Sequence, residues 1–130
     1  MFVFTSHSEL RGFLKEQTGS VGLVPTMGAL HKGHLSLVQK AAEDNNWVLV
    51  SIFVNPTQFN DANDLAKYPK NIEKDLEILT PYNKKLIVYT PNDSDLYTKD
   101  INPKKYDFGS LALHMEGAFR DNHFNGVATV

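Results

Sequence analysis

Two histidines follow a glycine-bearing turn near the start of the chain. The segment Val24-Pro25-Thr26-Met27-Gly28-Ala29-Leu30-His31-Lys32-Gly33-His34-Leu35 lies between an apolar, strand-like run and an amphipathic helix. In an open parallel sheet, ligands bind outside the carboxyl ends of the strands, and the free N–H groups at a helix N-terminus attract phosphate. The pattern therefore predicts a phosphate site, and its histidines indicate phosphoryl-group chemistry.

The glycine spacing is that of a phosphate-binding P-loop, but the other residues of that motif are missing. His34 and Leu35 stand where a P-loop has Lys and Ser or Thr, and no G-x-G-x-x-G fingerprint is present. Histidine must therefore supply the positive or donor groups. Paired imidazoles can donate to the charge that builds on a phosphorus undergoing substitution.

Other interpretations of the two histidines remain open at this point. His31 and His34 are three residues apart, so they project to one side of a helix. One histidine could cap the helix while the other faces solvent, or the two could bind a metal, although no carboxylate lies at a ligand-like spacing nearby. A helix N-terminus disfavours imidazolium and bound phosphate favours it, so the ionisation is left open. The strand–turn–helix context favours the phosphate site.

A second polar segment follows the next strand. Asn55 and Gln58 in Val54-Asn55-Pro56-Thr57-Gln58-Phe59 offer neutral donors and acceptors that suit hydroxyls and a carboxylate. A site built on such bonds rejects analogues that lack the matching groups. Asn-Pro could also simply start a turn. We expect this segment beside the first turn, at the same edge of the sheet.

Composition predicts a single soluble, cytoplasmic domain. The chain has 130 residues, a net charge of -2, 22% charged residues and no cysteine, which excludes a disulfide framework, a zinc ribbon and a cysteine nucleophile. No basic stripe points to nucleic acid, and no apolar run reaches the ~18 residues of a membrane span. The apolar end Gly126-Val127-Ala128-Thr129-Val130 predicts a chain cut inside an element.

Periodicity predicts helices and strands in alternation. The predicted helices are one that begins with a Ser6/Glu9 capping box and runs to about Gln17, one from Leu35 to about Asp44, one with Pro69 in its first turn that carries Ile72 to Leu79, and one from near Phe124. The predicted strands are Val21 to Val24, stopped by Pro25, then Trp47 to Val54, buried on both faces, Leu86 to Tyr89, and a short strand near Tyr106. This order predicts an α/β fold with right-handed crossovers and a helix-covered parallel sheet.

Several segments together resemble the pantoate–β-alanine ligase (pantothenate synthetase) family. The resemblance is carried by Pro25-Thr26-Met27-Gly28-Ala29-Leu30-His31-Lys32-Gly33-His34-Leu35-Ser36-Leu37-Val38, by Val50-Ser51-Ile52-Phe53-Val54-Asn55-Pro56-Thr57-Gln58-Phe59, by Tyr68-Pro69, by Glu116-Gly117-Ala118-Phe119-Arg120 and by His123-Phe124-Asn125-Gly126-Val127. His-x-Gly-His alone occurs in many nucleotidylyltransferases, but the Val-Asn-Pro-Thr-Gln-Phe run beside it is highly specific. The resemblance covers essentially the whole chain.

The resemblance implies a fold and a reaction. The fold is a Rossmann-like parallel sheet of the nucleotidylyltransferase type, with helices on both faces. The reaction joins pantoate to β-alanine with ATP and Mg²⁺ through a pantoyl adenylate, and it releases AMP and pyrophosphate. The family also implies a homodimer, whereas the expected absence of a nucleic-acid or membrane partner rests on composition.

The resemblance further assigns roles to individual residues. His34, the implied proton donor, and His31 beside the phosphates would be catalytic. The ATP site would be lined by Met27, Gly28, Ala29, Leu30, His31, Lys32, Gly33 and His34. Pantoate and β-alanine would be bound by Gln58, Asn55, Thr26 and Tyr68, with Arg120 and His123 as further carry-overs. No metal ligands are assigned to the protein.

The chain also departs from the family pattern. Asn60 stands where members commonly have Gly, and Lys70 where they often have Arg, which alone could grip an anion with two parallel hydrogen bonds. A downstream Gly-x-Lys-Asp motif and a later Ser-Arg motif are absent. Residues 1–130 are therefore expected to form one nucleotide-binding N-terminal domain without its C-terminal domain, with little or no ligase activity alone. Another His-x-Gly-His nucleotidylyltransferase and a non-catalytic nucleotide-binding module are the alternatives.

Overall fold

A computed structural model describes residues 1–82, 85–97 and 101–130 of the chain. The strands are β1 Phe2–Phe4, β2 Val21–Thr26, β3 Trp47–Ile52 and β4 Leu86–Tyr89. The helices are α1 His7–Glu16, α2 Lys32–Asp44, α3 Ala62–Lys67, α4 Ile72–Leu79, α5 Asp93–Leu96 and α6 His123–Thr129. These residues form two compact units: a sheet unit (Met1–Phe53 and Pro69–Asp95) and a second unit (Val54–Tyr68 and Leu96–Val130). Among the described helices, none is both long and apolar enough to span a bilayer.

The described residues of the sheet unit form four parallel strands in the order β1-β4-β3-β2. The chain moves across the whole sheet from β1 to β2 and then returns strand by strand through β3 to β4. Right-handed crossovers in opposite directions place their helices on opposite faces. The predicted parallel sheet with helices on both faces is confirmed.

Side-chain packing follows this arrangement. On one face, Phe13 of α1 lies 4.7 Å from Phe2 and 5.7 Å from Trp47, measured between ring centroids. On the other face, Val38 of α2 and Leu79 of α4 are buried in the main core. Strand β3 alternates between half-buried and buried residues, so one of its faces is buried as predicted and the other is only half-buried. The strand ends at Ile52 rather than at Val54.

The sheet differs from the prediction at strands β2 and β1. Pro25 does not stop β2, which continues through it to Thr26. Of the four described strands β2 lies at one edge, and an edge strand tolerates proline because the missing N–H removes no bond to a neighbour. Strand β1 was not predicted, since Phe2–Phe4 is too short to show a period of two.

The N-termini of α1 and α4 are not capped in the way that the sequence predicted. Ser6 is the N-cap of α1, but its side chain makes no cap bond and its Oγ lies 2.9 Å from Oγ of Ser8, so the predicted capping box is absent. Pro69 lies outside α4. The N-cap of α4 is Asn71, whose Oδ1 accepts a hydrogen bond from the Lys74 N–H at 3.0 Å, and asparagine is among the best N-cap residues.

Where the second unit is described, it contains α3, α6 and three 3₁₀ turns, Pro56–Gln58, Gly109–Leu113 and Met115–Ala118. The predicted helix near Phe124 is confirmed as α6, whereas the predicted strand near Tyr106 is absent from this described segment. The Tyr106 N–H donates to Asn125 Oδ1 at 2.7 Å, and the Lys104 N–H donates to Thr129 Oγ1 at 2.8 Å. Side chains of α6 thus accept the hydrogen bonds from backbone N–H groups that a neighbouring strand would accept in a sheet.

One buried hydroxyl in the sheet unit lacks a partner. Tyr89 is 6% exposed, and its hydroxyl makes no hydrogen bond with any described residue. Burial raises the pKa of Tyr89, and the Asp95 carboxylate raises it further. A buried polar group without a partner costs free energy that an apolar replacement of the same shape avoids.

We therefore expect Tyr89→Phe to raise the free energy of unfolding by up to about 1 kcal/mol. Urea denaturation of the two chains at one pH measures the difference. Tyr106→Phe, at an exposed site in the second unit, is the control and should change stability by less than about 0.5 kcal/mol. A clear loss of stability in Tyr89→Phe would show that the hydroxyl has a partner.

Candidate functional site

The turn between β2 and α2 is held by polar side chains on both sides. We call Thr26, Gly28, Ala29, Leu30, His31, Gly33, His34 and Asp75 the glycine-turn cluster. The Thr26 hydroxyl donates to the Ser51 carbonyl at 2.9 Å and accepts the Gly28 N–H at 3.2 Å. Thr26, predicted to bind substrate, thus shapes the first part of the turn.

Asp75 of α4 holds the second part of the turn. Its side chain is buried, with the residue 2% exposed. The two carboxylate oxygens accept the Ala29 N–H at 3.1 Å and the Leu30 N–H at 2.7 Å. Sequence reasoning missed Asp75, although a carboxylate at helical spacing between Ile72 and Leu79, on the apolar side of α4, was an available signal.

Gly28 is required by the backbone and by the space around it. Its φ is +84°, and a Cβ at this position would lie 2.9 Å from Asp75 Oδ2 and 3.2 Å from Ile52 Cγ2. Ala29 follows with φ of +52°. Left-handed backbone is uncommon for residues other than glycine. Here the hydrogen bonds from the Ala29 and Leu30 N–H groups to the Asp75 carboxylate hold this conformation in place.

The two histidines cap α2 from both directions. His31 is the N-cap residue, and its Nδ1 accepts the Gly33 N–H at 3.1 Å, while His34 Nδ1 accepts the His31 N–H at 3.3 Å. Gly33 leaves room for this, because a Cβ there would lie 2.9 Å from His31 Cε1. The ring centroids are 4.2 Å apart, so the prediction that the histidines share one side of the helix is confirmed.

Capping also fixes which nitrogen carries the proton. A backbone N–H can only donate, so each Nδ1 must present its lone pair and each neutral ring must carry its proton on Nε2. The capping interpretation and the phosphate-binding interpretation are therefore compatible. The pair presents two Nε2–H donors at the N-terminus of α2, where the helix dipole also favours an anion.

The environment favours the neutral form of His34. Burial lowers the pKa of His34 below its ordinary value, His31 lowers it further, and the Asp75 carboxylate acts in the opposite direction. The unfolded chain therefore binds this proton more readily than the folded chain. His34 adds stability above its ordinary pKa of about 6.5, and that contribution is lost as the pH falls below this value.

We expect His31→Asn to raise the pKa of His34, because the substitution removes the electrostatic influence of His31 that lowers this pKa and keeps a good N-cap residue. The His34 Cε1–H chemical shift, followed by NMR against pH, measures the midpoint. Substitution of the exposed His114 by Asn, in the second unit, should leave the midpoint where it is. An unchanged or lower midpoint in His31→Asn would contradict the prediction.

A buried amide network forms the second group of polar residues. We call Asn55, Thr57, Gln58, Tyr97, His123 and Gly126 the amide cluster. Asn55 is 1% exposed. Its Nδ2 donates to Gln58 Oε1 at 2.9 Å and to the Gly126 carbonyl at 3.0 Å. The predicted pair Asn55 and Gln58 is thus in direct contact.

His123 and Arg120 hold the second unit together. His123 Nδ1 lies 3.2 Å from the Gln58 carbonyl oxygen, which can only accept, so this nitrogen donates. Arg120 donates to Asp64 Oδ2 from Nε at 3.0 Å and from NH2 at 2.6 Å, and it pairs with Glu116 at 3.1 Å. Direct contact of either residue with substrate stays a prediction.

Tyr68 and Arg120 both contact the Phe59 ring. The Tyr68 ring meets it edge-on, with centroids 5.7 Å apart, and the Arg120 guanidinium carbon lies 4.9 Å from the Phe59 centroid. A cation over an aromatic face is attracted by the ring quadrupole.

In the described part of the chain, no three His, Cys, Asp or Glu side chains come together as metal ligands.

Comparison with known proteins places this geometry in one family. The family model described as pantoate-beta-alanine ligase matches residues 2–130. A pantothenate synthetase of Flavobacterium psychrophilum is 44% identical over 133 residues, covering 100% of this chain and 47% of the relative. One from Christiangramia forsetii is 52% identical over 117 residues, covering 90% of this chain and 41% of the relative.

Solved structures show the same fold. A pantoate-beta-alanine ligase of Francisella tularensis, complexed with beta-gamma ATP and beta-alanine, superposes with a TM-score of 0.90 at 36% identity, covering 99% of this chain and 50% of that one. A pantothenate synthetase of Thermus thermophilus gives 0.85 at 40% identity, with coverage of 99% and 46%. The Rossmann-like, nucleotidylyltransferase-type fold is confirmed. The chain spans about half the length of these relatives.

Proposed function

Because the chain belongs to the pantoate–β-alanine ligase family, we propose that the complete gene product joins pantoate to β-alanine at the expense of ATP. A pantoate carboxylate oxygen attacks the α-phosphorus of ATP, and the bond from that phosphorus to the bridging oxygen breaks, releasing pyrophosphate. The β-alanine amine then attacks the acyl carbon, AMP leaves with the transferred oxygen, and the nitrogen loses a proton. This proposal takes MgATP as the nucleotide substrate.

The glycine-turn cluster supports the ATP half of the proposal. Segment Met27 to His34, including the exposed Lys32, would bind the phosphates. The observation that carries the proposal is the capped imidazole pair, because His31 and His34 are held with Nε2–H directed away from their backbone bonds. Donors fixed before the reaction stabilise developing phosphate charge without reorganisation. His34 would also serve as the proton donor.

The amide cluster, together with Tyr68 against Phe59, supports the pantoate and β-alanine half. Gln58 would contact the substrates directly, with Asn55 behind it. Both substrates carry carboxylates, and pantoate carries hydroxyls, so amide N–H groups suit them. We further propose a cytoplasmic location and a homodimer, and light scattering on the complete protein tests the latter.

Pyrophosphate release by the complete gene product tests the proposal. We expect release to require both ATP and pantoate, and AMP to appear in equal amount with pantothenate when β-alanine is added. Pantoate labelled with ¹⁸O in its carboxylate should transfer one label to AMP, since that oxygen becomes part of the phosphate. Absence of pantoate-dependent pyrophosphate release would overturn the proposal.

A binding test separates this function from a non-catalytic nucleotide-binding module. The proposal makes His34 a phosphate contact, so His34→Ala should weaken ATP binding measured by calorimetry. His114→Ala, at an exposed histidine of the second unit, is the matched control. ATP binding that ignores the loss of His34 would favour the non-catalytic module.

A further inference from the structure

The orientation of the Asn55 side-chain amide is fixed by two backbone groups. The Gly126 carbonyl can only accept, so the atom 3.0 Å from it must be the nitrogen Nδ2. The Thr57 N–H can only donate, so the atom 3.3 Å from it must be the oxygen Oδ1. The two constraints agree.

This orientation determines what Gln58 can offer. Since Asn55 Nδ2 donates, the Gln58 atom that faces it at 2.9 Å must be the oxygen Oε1. The nitrogen Nε2 therefore lies on the other side of the Gln58 amide, and among the described residues no acceptor takes a hydrogen bond from it. On the side away from Asn55, Gln58 can therefore act only as a donor, and we call this the donor-only orientation.

Hydroxyl groups complete the arrangement around Asn55. Tyr97 donates its hydroxyl proton to Asn55 Oδ1 at 2.6 Å, and the Thr57 hydroxyl donates to the same oxygen at 2.9 Å. The 2.6 Å bond is at the short end of the range for O–H donors. Tyr97 lies in sequence far from the Asn55–Gln58 pair, which is why the local motif gave no indication of it.

We propose that Tyr97 is a positioning residue that acts through Asn55 to keep the Gln58 amide in its donor-only orientation. The inference rests on the proposed function for the identity of the ligand. A donor-only amide selects an acceptor oxygen, such as a carboxylate or a hydroxyl oxygen of pantoate, and discriminates against a ligand that presents an N–H at the same point. Without the Tyr97 bond, Asn55 and Gln58 gain freedom to rotate and the donor is presented for less of the time.

The first test is the steady-state kinetics of Tyr97→Phe in the complete gene product. We expect the KM for pantoate to rise about 3- to 10-fold, the loss typical of one hydrogen bond, with kcat and the KM for ATP within about twofold of the original. Tyr106→Phe is the matched control and should leave all three parameters unchanged. A general folding defect would instead change both KM values and the melting temperature together, and that result would overturn the positioning role.

A second variant tests the donor-only orientation itself. Gln58→Glu keeps the shape and the bond from Asn55, but it places an oxygen where Nε2 stood. We expect the KM for pantoate to rise by more than in Tyr97→Phe, because an oxygen of the new carboxylate would then face an acceptor oxygen of pantoate. If Gln58→Glu binds pantoate as well as the original protein does, the inference is overturned.

A readout without turnover separates this inference from the proposed function. Hydrogen exchange of the Asn55 side-chain amide, followed by NMR, should be slow in the original protein and at least about tenfold faster in Tyr97→Phe. Unchanged exchange would overturn the positioning role whatever the activity. A different pair of results is also informative: the original protein releases no pyrophosphate with pantoate, but exchange is faster in Tyr97→Phe. That pair would overturn only the proposed function and its ligand.

Discussion

Replacing Asp75 with asparagine is expected to lower the free energy of unfolding by about 3 kcal/mol, at the upper end of the cost of leaving a buried hydrogen-bonding group unsatisfied. The carboxylate accepts the Ala29 and Leu30 N–H groups, one on each oxygen. Asparagine has the same shape but only one acceptor oxygen. Its NH₂ group would face one of the two N–H groups, leaving that donor buried without a partner.

Urea denaturation of Asp75→Asn measures this loss. The matched control is Glu77→Gln, which neutralises an exposed carboxylate on the same helix and should change stability by less than about 0.5 kcal/mol. Asp75→Asn should also lower the pKa of His34 further, because the Asp75 carboxylate raises this pKa in the original chain. Equal stability of Asp75→Asn and Glu77→Gln would show that the turn does not depend on this carboxylate.

The sequence predicted the parts of this fold that are governed by local patterns. Strand Leu86–Tyr89 has the predicted bounds, and α2 and α6 have the predicted type. Apolar periodicity decides such elements, because each must bury one side. Pro25 misled the prediction, since its effect depends on whether the strand lies at an edge, which is a property of the whole sheet.

The candidate site divides in the same way. The histidines and the Asn55–Gln58 pair were predicted because their groups belong to contiguous segments. Asp75 and Tyr97 were missed because they join these segments from 45 and 42 residues away in sequence. Their roles follow from hydrogen-bond partners that only the folded chain supplies. Sequence reasoning therefore predicted the groups that would face a ligand better than the groups that hold them.

Gly126→Ala is the second substitution with a large expected effect, and two physical terms oppose each other in it. Alanine is favoured over glycine in a helix by about 1 kcal/mol, so propensity alone predicts a more stable α6. Packing predicts the opposite. A Cβ at Gly126 would overlap the Thr57 carbonyl and lie 2.9 Å from the backbone nitrogen of Gln58. Because these atoms are backbone, the helix and the 3₁₀ turn would have to separate.

Separation would also stretch the bonds that tie α6 to that turn, from Asn55 Nδ2 to the Gly126 carbonyl and from His123 to the Gln58 carbonyl. Overpacking costs about 1–3 kcal/mol, and we expect the upper value because the Cβ would meet backbone atoms. After the gain of about 1 kcal/mol in helix propensity, a net loss of about 2 kcal/mol remains. Gly12→Ala is the matched control, since a Cβ at Gly12 in α1 meets nothing within 4 Å. It should gain up to about 1 kcal/mol, so the two Gly-to-Ala variants should differ in stability by about 3 kcal/mol and in opposite directions. Two gains of similar size would mean that α6 can move away from the turn at no cost, and the close approach at Gly126 would then not explain the glycine.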